Sequence, residues 1–395
     1  MFPCGRSRLA LDPCGMSTKI LILTEHGDAH AYAVAQALDQ CGADVVLWHT
    51  GDFPSRAGET IHFEAGERAI RVRGPALEME DFRFDTIWHR RPVYTVDEDQ
   101  LHPADREFAD GECCLFRRSL LNLMAPDSFW VNPPDAAIRA ERKPFQHQVA
   151  YEVGFATPAT LYTNDPEEIR EFLKRRGGQI AYKPFRGVCW SDGETSWAPY
   201  TSVITEASLV EDNLLRSTPG IYQELVPKAY ELRITVIGER VFSAKIRSQE
   251  TVTGRLDWRQ SYDELQMEAC EIPAEVAEKC RRVLSRLGLV FGCFDLIVTP
   301  SGQHVFLEVN QAGQFLFIER YAGIPLLDAF VQFLLQARSD FEWDTASVAH
   351  QYIDIIKHLP RLEQEFAERH VTAPDRSIFE RKRGPQSRRR KGLRV

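Results

Sequence analysis

The sequence has no hydrophobic run long enough to cross a membrane, since none approaches the roughly 18 residues that a spanning helix requires. It also lacks a Cys-x-x-Cys pair or a Cys/His cluster at zinc spacing, and its nine cysteines are scattered. That usage is typical of reduced thiols in the cytoplasm. Residues 1–16 contain no apolar core of a signal peptide, so we interpret them as an extension outside the fold. These absences predict a cytoplasmic protein without a membrane partner.

A dinucleotide-binding motif and a constellation for covalent catalysis are missing as well. The turn after the first predicted strand reads Glu25-His-Gly-Asp-Ala-His30. It differs from the Gly-x-Gly-x-x-Gly fingerprint, so no dinucleotide site is predicted there. No Cys/His or Ser/His constellation in the sequence supports a covalent enzyme intermediate.

Acidic residues outnumber basic ones outside the carboxyl terminus. The formal net charge is -9, yet positions 376–395 hold nine Lys/Arg and one Glu, so the remainder of the chain carries -17. An acidic body argues against a nucleic-acid-binding surface on the globular part. The basic tail, residues 373–395, lacks apolar periodicity and is predicted to be disordered. It is either a solvated tail or a contact for an acidic partner or RNA.

The chain is long and apolar enough for a full core, with 395 residues of which 44% are hydrophobic. This length suggests two or three lobes. Two buried-type strands, Lys19–Thr24 and Asp44–His49, flank an Ala-rich helix, a Rossmann-like α/β beginning. A third strand, Thr86–His89, leads into Arg90 and Arg91. Arginines at the carboxyl end of such a strand are placed to clamp substrate carboxylates, and an ordinary surface pair is the alternative.

The stretch from Val290 to Asn310 predicts a β-hairpin. Two runs of β-branched and aromatic residues flank Pro-Ser-Gly-Gln, with the turn centred near residues 301–302. Facing residues in an antiparallel hairpin sum to a constant, so Asp295 is expected opposite Glu308. Strand alternation then returns Asn310 to the same face as Glu308.

This face of the hairpin predicts a metal site. Like charges directly opposite each other are unfavourable unless a cation lies between them. Two carboxylates and an amide oxygen, with room for water and phosphate, suit Mg²⁺ better than zinc or calcium. A solvated acidic face is the alternative. The opposite face is apolar and is expected to pack into a core through Phe294, Leu296, Val298, Leu307 and Val309.

Basic side chains recur on the strands that precede the hairpin. Glu231 and Arg233 lie on one face of a predicted strand, and Lys245 and Arg247 lie on one face of the next. If these faces are directed toward the hairpin, the cation bound by its carboxylates lies opposite a row of basic side chains. This is the charge arrangement for binding a polyphosphate. Arg259, in the polar segment that follows, is either a substrate contact or a surface residue.

Helices and a glycine-containing loop complete the predicted elements. A strand ending in Lys183 leads into a loop with Gly187 and Gly193, which suits a flexible phosphate cover although such loops are common. One helix is predicted over residues 136–153. Another is predicted from 346 to about 369, just before the basic tail.

The chain resembles the ATP-grasp superfamily over residues 18–337. The motifs, in order, are a lysine before Gly-x-x-x-Pro, a Lys-Pro strand with a glycine loop, a Glu-hydrophobic-Val hinge, an acidic-x-Arg pair and Asp…Glu-x-Asn. Within the superfamily, Trp88-His-Arg-Arg-Pro92, Asp257-Trp-Arg259 and the stretch from Glu308 to Glu319 are similar to the microviridin-type peptide ligases, which form graspetides. The resemblance implies an α/β ATP-grasp fold, in which a Rossmann-like N-terminal lobe precedes central and C-terminal α+β lobes that clamp ATP.

The resemblance also implies a domain organisation. An N-terminal pre-ATP-grasp domain would span residues 17–134, a central ATP-grasp subdomain 135–225 and a C-terminal ATP-grasp subdomain 226–372. The N-terminal extension and the basic tail would lie outside these domains.

ATP and Mg²⁺ are the implied cofactors, and the site residues take their roles from the same resemblance. By role, they are nucleotide-binding Lys143, Lys183, Glu224, Leu225, Val226 and Glu231; catalytic Arg233, Lys245 and Arg259; substrate-binding Arg90, Arg91 and Arg247; and the Mg²⁺ ligands Asp295, Glu308 and Asn310. Two positions depart from the family pattern. Glu231 stands where these ligases commonly have Asp, and Gln311 stands where Pro usually follows the Asn.

The implied reaction is activation of a carboxylate by ATP. An Asp or Glu side chain of a precursor peptide would attack the γ-phosphate, giving an acyl-phosphate and ADP. A Ser/Thr hydroxyl or Lys amine of the same peptide would then displace phosphate and close an ω-ester or ω-amide ring. A precursor peptide with a leader segment and a second copy of the chain, as a homodimer, are the implied partners. The alternatives are a ligase acting on amino acids or a protein terminus, similar to glutathione synthetase or the ribosomal-protein modification enzymes, and a non-catalytic ATP- or peptide-binding module.

Overall fold

A computed structural model gives the structure of the chain. It describes residues 17–371 except 81, 188–189, 192–195, 262–263 and 346–347. The extension at residues 1–16, the basic tail at 373–395 and Gly193 of the glycine loop lie outside the described residues. None of the helices found in the described ranges combines the length and the apolar character needed to cross a lipid bilayer.

The strands of the described residues are, in chain order, β1 (Lys19–Thr24), β2 (Asp44–His49), β3 (Gly58–Glu64), β4 (Glu67–Gly74), β5 (Leu77–Met79), β6 (Thr86–His89), β7 (Phe129–Val131), β8 (Thr160–Thr163), β9 (Ile180–Lys183), β10 (Trp190–Ser191), β11 (Ser196–Trp197), β12 (Ser202–Ile204), β13 (Gly220–Glu224), β14 (Tyr230–Ile237), β15 (Arg240–Ile246), β16 (Met267–Ala269), β17 (Phe291–Val298) and β18 (His304–Asn310).

The α-helices of the same residues are α1 (Ala29–Gln40), α2 (Arg106–Leu123), α3 (Pro134–Ala140), α4 (Lys143–Val153), α5 (Pro166–Arg175), α6 (Asp212–Ser217), α7 (Ala274–Leu287), α8 (Leu316–Ala322), α9 (Leu326–Gln336), α10 (Tyr352–Ile355) and α11 (Leu359–Ala367).

The chain divides into two compact units, of which the first comprises described residues 17–135, 237–239 and 325–371. Its main sheet has the order β2-β1-β6-β7, and all neighbouring strands are parallel. Helix α9 packs on β6, where the ring of Phe330 lies 4.8 Å from that of Trp88. The predicted strands β1, β2 and β6 and the Ala-rich helix α1 are confirmed.

The first unit also contains an antiparallel sheet of β3, β4 and β5 that was not predicted. Most residues of β3 and β4 are exposed or half-buried. Apolar and polar residues nevertheless alternate along both strands, as Ile61-His-Phe-Glu64 and Ile70-Arg-Val-Arg73. This is the usual strand signal, so the sequence could have revealed these strands.

The second unit comprises described residues 136–236 and 240–324. One sheet, β12-β9-β13-β8, is antiparallel and shares a core with α5. The other has the order β16-β15-β14-β17-β18, and its buried face packs against apolar residues of α4 and α7. These two sheets and α4 carry most of the predicted site residues.

The single helix predicted over residues 136–153 is wrong, because two helices occupy this stretch. Helix α3 ends at Ala140 and α4 begins at Lys143, with Arg142 in an extended conformation between them. Pro144 explains the break, since proline is tolerated in the first turn of a helix but not in its interior. The new start places Lys143 in the first turn of α4.

The helix predicted from 346 to about 369 is also wrong in its extent. Residues 348–351 are not helical, and two short helices, α10 and α11, follow. The buried carboxylate of Asp328 accepts the backbone N–H groups of Ala349 and His350, at 3.0 and 3.2 Å. These bonds hold the segment in a non-helical conformation, because the same N–H groups are no longer available to a helix.

Candidate active site

The predicted pairing of Asp295 with Glu308 is confirmed, because the two residues are partners in the antiparallel ladder of β17 and β18. The ladder is irregular at this point. Leu296 pairs with Phe306, which leaves Leu307 as the extra residue of a β-bulge. The one-residue shift at the bulge is what places Glu308, rather than Leu307, opposite Asp295.

The same bulge changes the core face of the hairpin. Phe306 and Val309 are buried in the core, whereas Leu307 is only half-buried. The prediction that Leu307 packs in the core is therefore wrong. An extra residue reverses the alternation of inward and outward side chains along the strand, and a regular pattern cannot anticipate it.

The three predicted metal ligands lie together on one face of the hairpin. Asn310 Nδ2 donates to Asp295 Oδ2 at 3.2 Å, and Arg233 NH1 donates to the same oxygen at 2.8 Å. Lys143 Nζ forms an ion pair with Glu308 Oε2. Each carboxylate therefore already has a basic partner within the second unit.

The donor set suits a hard divalent cation. Asp295 Oδ1 is buried and has no hydrogen-bond partner among the described residues, an arrangement that is costly unless another ligand completes it. Two carboxylates and an amide oxygen are ligands of the type that Mg²⁺ takes together with water and phosphate. Within the described ranges no cluster of three or more His, Cys, Asp or Glu residues forms a metal site, and the set identified here differs in that its third member is Asn310.

The two carboxylates differ in their electrostatics. Burial raises the pKa of Asp295 and outweighs the lowering effect of Arg233. Burial acts in the same direction on Glu308, but the charges of Lys143, then Arg259 and Lys183, hold the pKa of Glu308 well below its usual range. Three cations thus surround the Glu308 carboxylate, which stays ionised.

Arg233 is held by a close approach of the chain after β18. Its NH2 donates to the backbone oxygen of Gln314 at 2.8 Å. A Cβ added at Gly313 would lie 2.9 Å from that same NH2 and 2.8 Å from the Cβ of Cys293. Only glycine leaves this space, so the Gly-Gln sequence after the metal strand gives the guanidinium room beside Asp295.

Arg259 and Lys183 are anchored by neighbouring side chains. Arg259 Nε donates to Asp257 Oδ1 at 2.8 Å, and Asp257 also accepts the N–H of Thr201 at 3.1 Å. Lys183 Nζ donates to Gln223 Oε1 at 2.9 Å. Burial lowers the pKa of Lys183, while the nearby charge of Glu308 raises it.

Lys245 and Arg247 form a separate group. Both contact Glu268 of β16, at 3.4 and 2.8 Å, and Lys245 Nζ also lies 4.6 Å from the centroid of the Tyr230 ring. Strand β15, which carries Lys245, is separated from β17 by β14. The hydrogen bonds and ion pairs found for these two residues therefore point to Glu268, and for Arg247 also to Glu250, rather than to Asp295.

Glu231 is buried and paired with a lysine close in sequence. Lys228 Nζ donates to Glu231 Oε1 at 2.9 Å, and burial raises the pKa of Glu231 despite this partner. At the end of β13, Glu224 pairs with Arg176 at 3.1 Å.

A groove lies beside Glu224 and Leu225, two of the predicted nucleotide-binding residues. Its lining comprises Arg176, Gly177, Gln179, Glu224 and Leu225. Val226 follows directly in the segment after β13, which has no regular secondary structure. Glu224 and Leu225 therefore line an open groove next to Val226.

Arg90 and Arg91 belong to the first unit. Arg90 is buried, and its Nε lies 3.0 Å from Asp28 Oδ2, whereas Arg91 is partly exposed and lies 3.9 Å from Glu25. Asp28 also caps α1 by accepting the N–H groups of His30 and Ala31. The guanidinium of Arg90 is occupied by this structural role, so Arg91 is the more accessible of the two predicted substrate arginines.

We expect Asp28→Asn to lower the free energy of unfolding of the first unit by about 2 kcal/mol at pH 7. Burial opposes ionisation of Asp28, but Arg90, followed by Arg91, lowers its pKa from 3.8 to about 2. A carboxyl whose folded pKa is depressed stabilises the fold above pH 3.8 and loses that contribution as the pH falls toward 2. Asparagine keeps the helix cap and removes the charge.

Urea denaturation between pH 7 and pH 3 measures this difference. It should shrink as the pH falls below 4, because the unfolded chain takes up a proton at this carboxyl at a higher pH than the native protein does. Asp39→Asn, an exposed change on the same helix, is the matched control. A constant difference at all pH values would contradict the assigned ion pair.

Two glutamines at the site carry no sequence signal of their own. Gln223 holds Lys183, and Gln146 bonds to the backbone of Val309 between two predicted metal ligands. Asp257, which holds Arg259, belongs instead to a motif that the sequence analysis identified. Gln146 follows Lys143 by three residues. Helical spacing would have placed both on one face, had the start of α4 been predicted correctly.

Together, these residues can bind a polyphosphate and a divalent cation. Cations near the two predicted metal carboxylates are Lys143, Lys183, Arg233 and Arg259. Carboxylates attract the metal ion, and the cations remain to neutralise phosphate oxygens, so the site can stabilise charge during phosphoryl transfer.

Solved structures similar to this chain are ATP-grasp ligases. A RiPP-associated ATP-grasp ligase of Chryseobacterium gregarium, in complex with ADP and a leader and core peptide, has a TM-score of 0.72 and 25% identity, covering 83% of this chain and 100% of that one. Macrocyclase MdnC of Microcystis aeruginosa, bound with precursor peptide MdnA, has a TM-score of 0.70 and 26% identity, covering 81% and 100%. Ligase PsnB, with a minimal precursor, Mg and ADP, has a TM-score of 0.61 and 25% identity, covering 80% and 97%. The predicted ATP-grasp fold is confirmed.

Sequence relatives are ligases as well. A probable alpha-L-glutamate ligase of Xanthomonas oryzae pv. oryzae is 28% identical over 213 residues, which cover 52% of this chain and 68% of that protein. No protein-family model matches the chain. The predicted enzyme class, an ATP-grasp ligase, is confirmed by the structural and sequence relatives together.

Proposed function

We propose that this chain, an ATP-grasp ligase of the graspetide type, joins side chains within a ribosomally made precursor peptide. The bond formed would be an ω-ester or ω-amide between Asp or Glu and Ser, Thr or Lys. The observation that carries this proposal is the cluster of Asp295, Glu308 and Asn310 facing Lys143 and Arg233. Support also comes from similar structures that hold ADP and precursor peptides.

Asp295, Glu308 and Asn310 are the residues that would hold Mg²⁺. A bound magnesium ion supplies positive charge that neutralises phosphate oxygens. Lys143 and Lys183 would bind the phosphates of ATP. Adenine would lie in the groove at Glu224 and Leu225, next to the backbone of Val226, and Glu231 would remain close to the ribose.

The proposed reaction has two balanced steps. A carboxylate oxygen of the peptide attacks the γ-phosphorus of ATP, the bond to the β-phosphate oxygen breaks, and ADP leaves. A hydroxyl or amine of the peptide then attacks the acyl carbon of the resulting acyl-phosphate. Inorganic phosphate leaves, the nucleophile loses its proton, and the crosslink remains. Each ring therefore uses one ATP and removes one water from the peptide overall.

The protein's own charges would stabilise the anionic transition states. Arg233 lies beside Asp295, and Arg259 is fixed by Asp257 in a stable orientation. In the structure, Lys143 pairs with Glu308 and Arg233 pairs with Asp295. Nucleotide binding would turn these two cations from the carboxylates toward phosphate oxygens. Lys245, Arg247 and Arg91 remain proposed contacts for phosphate or substrate.

A second candidate function is ligation of glutamate to an amino acid or a protein terminus. The observation in its favour is the 28% identity to a probable alpha-L-glutamate ligase. Both functions use the same carboxylate activation, and they differ in the acceptor, which belongs to the substrate.

We expect ADP release by the purified chain to be stimulated by a leader-bearing peptide with Thr and Asp or Glu in its core. Mass spectrometry should show loss of one water from the peptide per ring. Substrate carboxylates labelled with ¹⁸O should transfer one labelled oxygen to the released phosphate. A peptide with Asn and Gln in place of the acidic residues is the matched control.

The other outcomes separate the alternatives. Stimulation by free glutamate but not by the peptide would favour the second candidate. Nucleotide binding without turnover on either substrate would indicate a non-catalytic module. A homodimer and a cytoplasmic location remain predictions.

A further inference from the structure

Strand β18 carries two of the proposed metal ligands but lies at the edge of its sheet. An edge strand presents backbone N–H and C=O groups that no neighbouring strand pairs. Buried backbone groups of this kind need other partners. Val309, which lies between Glu308 and Asn310, is buried.

A single side chain supplies both partners of Val309. Gln146 Oε1 accepts the N–H of Val309 at 3.0 Å, and Gln146 Nε2 donates to the carbonyl oxygen of Val309 at 2.9 Å. The carboxamide of Gln146 thus takes the place of a neighbouring strand for one residue. Gln146 is itself only 4% exposed, so water does not compete for these bonds.

The location of these bonds matters because of the bulge at Leu307. A bulge leaves one residue unpaired and weakens the ladder around it. On the turn side of the bulge, Phe306 N–H donates to the backbone oxygen of Ala156 at 2.8 Å. On the ligand side, Gln146 holds Val309. The irregular part of β18 is therefore fixed on both sides by groups outside the hairpin.

Gln146 also links this strand to the helix that carries the proposed phosphate lysine. Lys143 and Gln146 lie one helical turn apart in α4, and their side chains reach the successive residues Glu308 and Val309. Gln146 Nε2 donates in addition to the carbonyl oxygen of Ala140, the last residue of α3. One carboxamide thereby connects the end of α3, the first turns of α4 and the metal strand.

We propose that Gln146 is a positioning residue that keeps Glu308 and Asn310 in register with Asp295 for a divalent cation. This inference rests on the proposed function, because it takes these three residues as the metal site. Fixing both backbone groups of Val309 fixes the origins of the side chains on either side of it. Partners that orient metal ligands in this way are worth about 10–100-fold in metal affinity.

The test compares Gln146→Met with the wild-type protein. Methionine has the same unbranched length and makes neither bond to Val309. We expect Mn²⁺, followed by electron paramagnetic resonance, to bind about tenfold more weakly to the variant. ADP binding in the absence of metal should be unchanged. In turnover assays, KM for Mg²⁺ should rise while kcat at saturating Mg²⁺ recovers.

Gln148→Met is the matched control. Gln148 lies on the same helix, is exposed and bonds only to Glu152 at the surface among the hydrogen bonds found for it. Its replacement should leave the Mn²⁺ affinity at the wild-type value. If Gln146→Met does not fold, Gln146→Asn is measured instead. Its amide is one methylene too short to reach both groups of Val309, and the same weakening is expected.

The outcomes distinguish this inference from the proposed function. Wild-type Mn²⁺ affinity in a Gln146 variant that has only a lower melting temperature would overturn the positioning role. An Asp295→Asn variant that binds Mn²⁺ as tightly as the wild-type protein would instead overturn the metal site itself.

Discussion

Replacing Asp295 with asparagine is expected to lower ATP turnover about a thousandfold, since a metal supplies several kcal/mol of charge stabilisation and each 1.36 kcal/mol is a factor of ten. Asparagine has the same shape and still offers an oxygen to Arg233, whose NH1 lies 2.8 Å from the carboxylate. Burial raises the pKa of Asp295, so removal of its charge relieves a desolvation cost. The variant should therefore remain folded. Steady-state ADP release and circular dichroism check both expectations.

Asp212→Asn is the matched control for this experiment. Asp212 forms an exposed ion pair with Arg170 in the same unit of the chain. The chemical change is identical, but exposed pairs of this kind contribute little. Turnover in the control should stay at the wild-type rate. Wild-type turnover in Asp295→Asn would exclude Asp295 from the metal site.

Arg233→Ala is expected to lower kcat about a thousandfold, the lower end of the range for an arginine that stabilises phosphoryl transfer. It should also destabilise the fold by about 3–5 kcal/mol, because it leaves the buried Asp295 without its ion-pair partner. These two effects have different origins, and a second variant separates them.

The double variant Arg233→Ala/Asp295→Asn should regain much of the lost stability without regaining turnover. The unpaired buried charge is gone in this protein, but so are both catalytic groups. Arg281→Ala, an exposed change on α7, is the control for loss of an arginine. Recovery of turnover together with melting temperature would mean that Arg233 acts only through stability.

The hairpin shows how far the sequence predicts the site. Its two strands follow from β-branched runs and a turn, and the pairing of Asp295 with Glu308 is confirmed. That pairing, however, depends on a bulge at Leu307. The rule that predicted the pairing assumes a regular ladder without a bulge. Bulges depend on tertiary contacts such as the bond from Phe306 to Ala156, and a local pattern does not reveal such contacts.

Partners that are distant in sequence account for several of the other differences. The burial of Arg90 follows from Asp28 at the start of α1, and the restraint on Val309 follows from Gln146 in α4. Neither pair belongs to a motif with fixed spacing. The predicted start of the helix at 346 was wrong for a similar reason. Asp328, in another part of the first unit, accepts the N–H groups of Ala349 and His350.

Anomalous diffraction from crystals grown with Mn²⁺ and ADP would locate the metal ion. We expect a manganese peak within coordination distance of oxygen atoms from Asp295, Glu308 and Asn310, with Lys143 and Arg233 turned toward phosphate oxygens. A metal bound to the nucleotide but away from all three side chains, with Lys143 still paired to Glu308, would contradict this expectation.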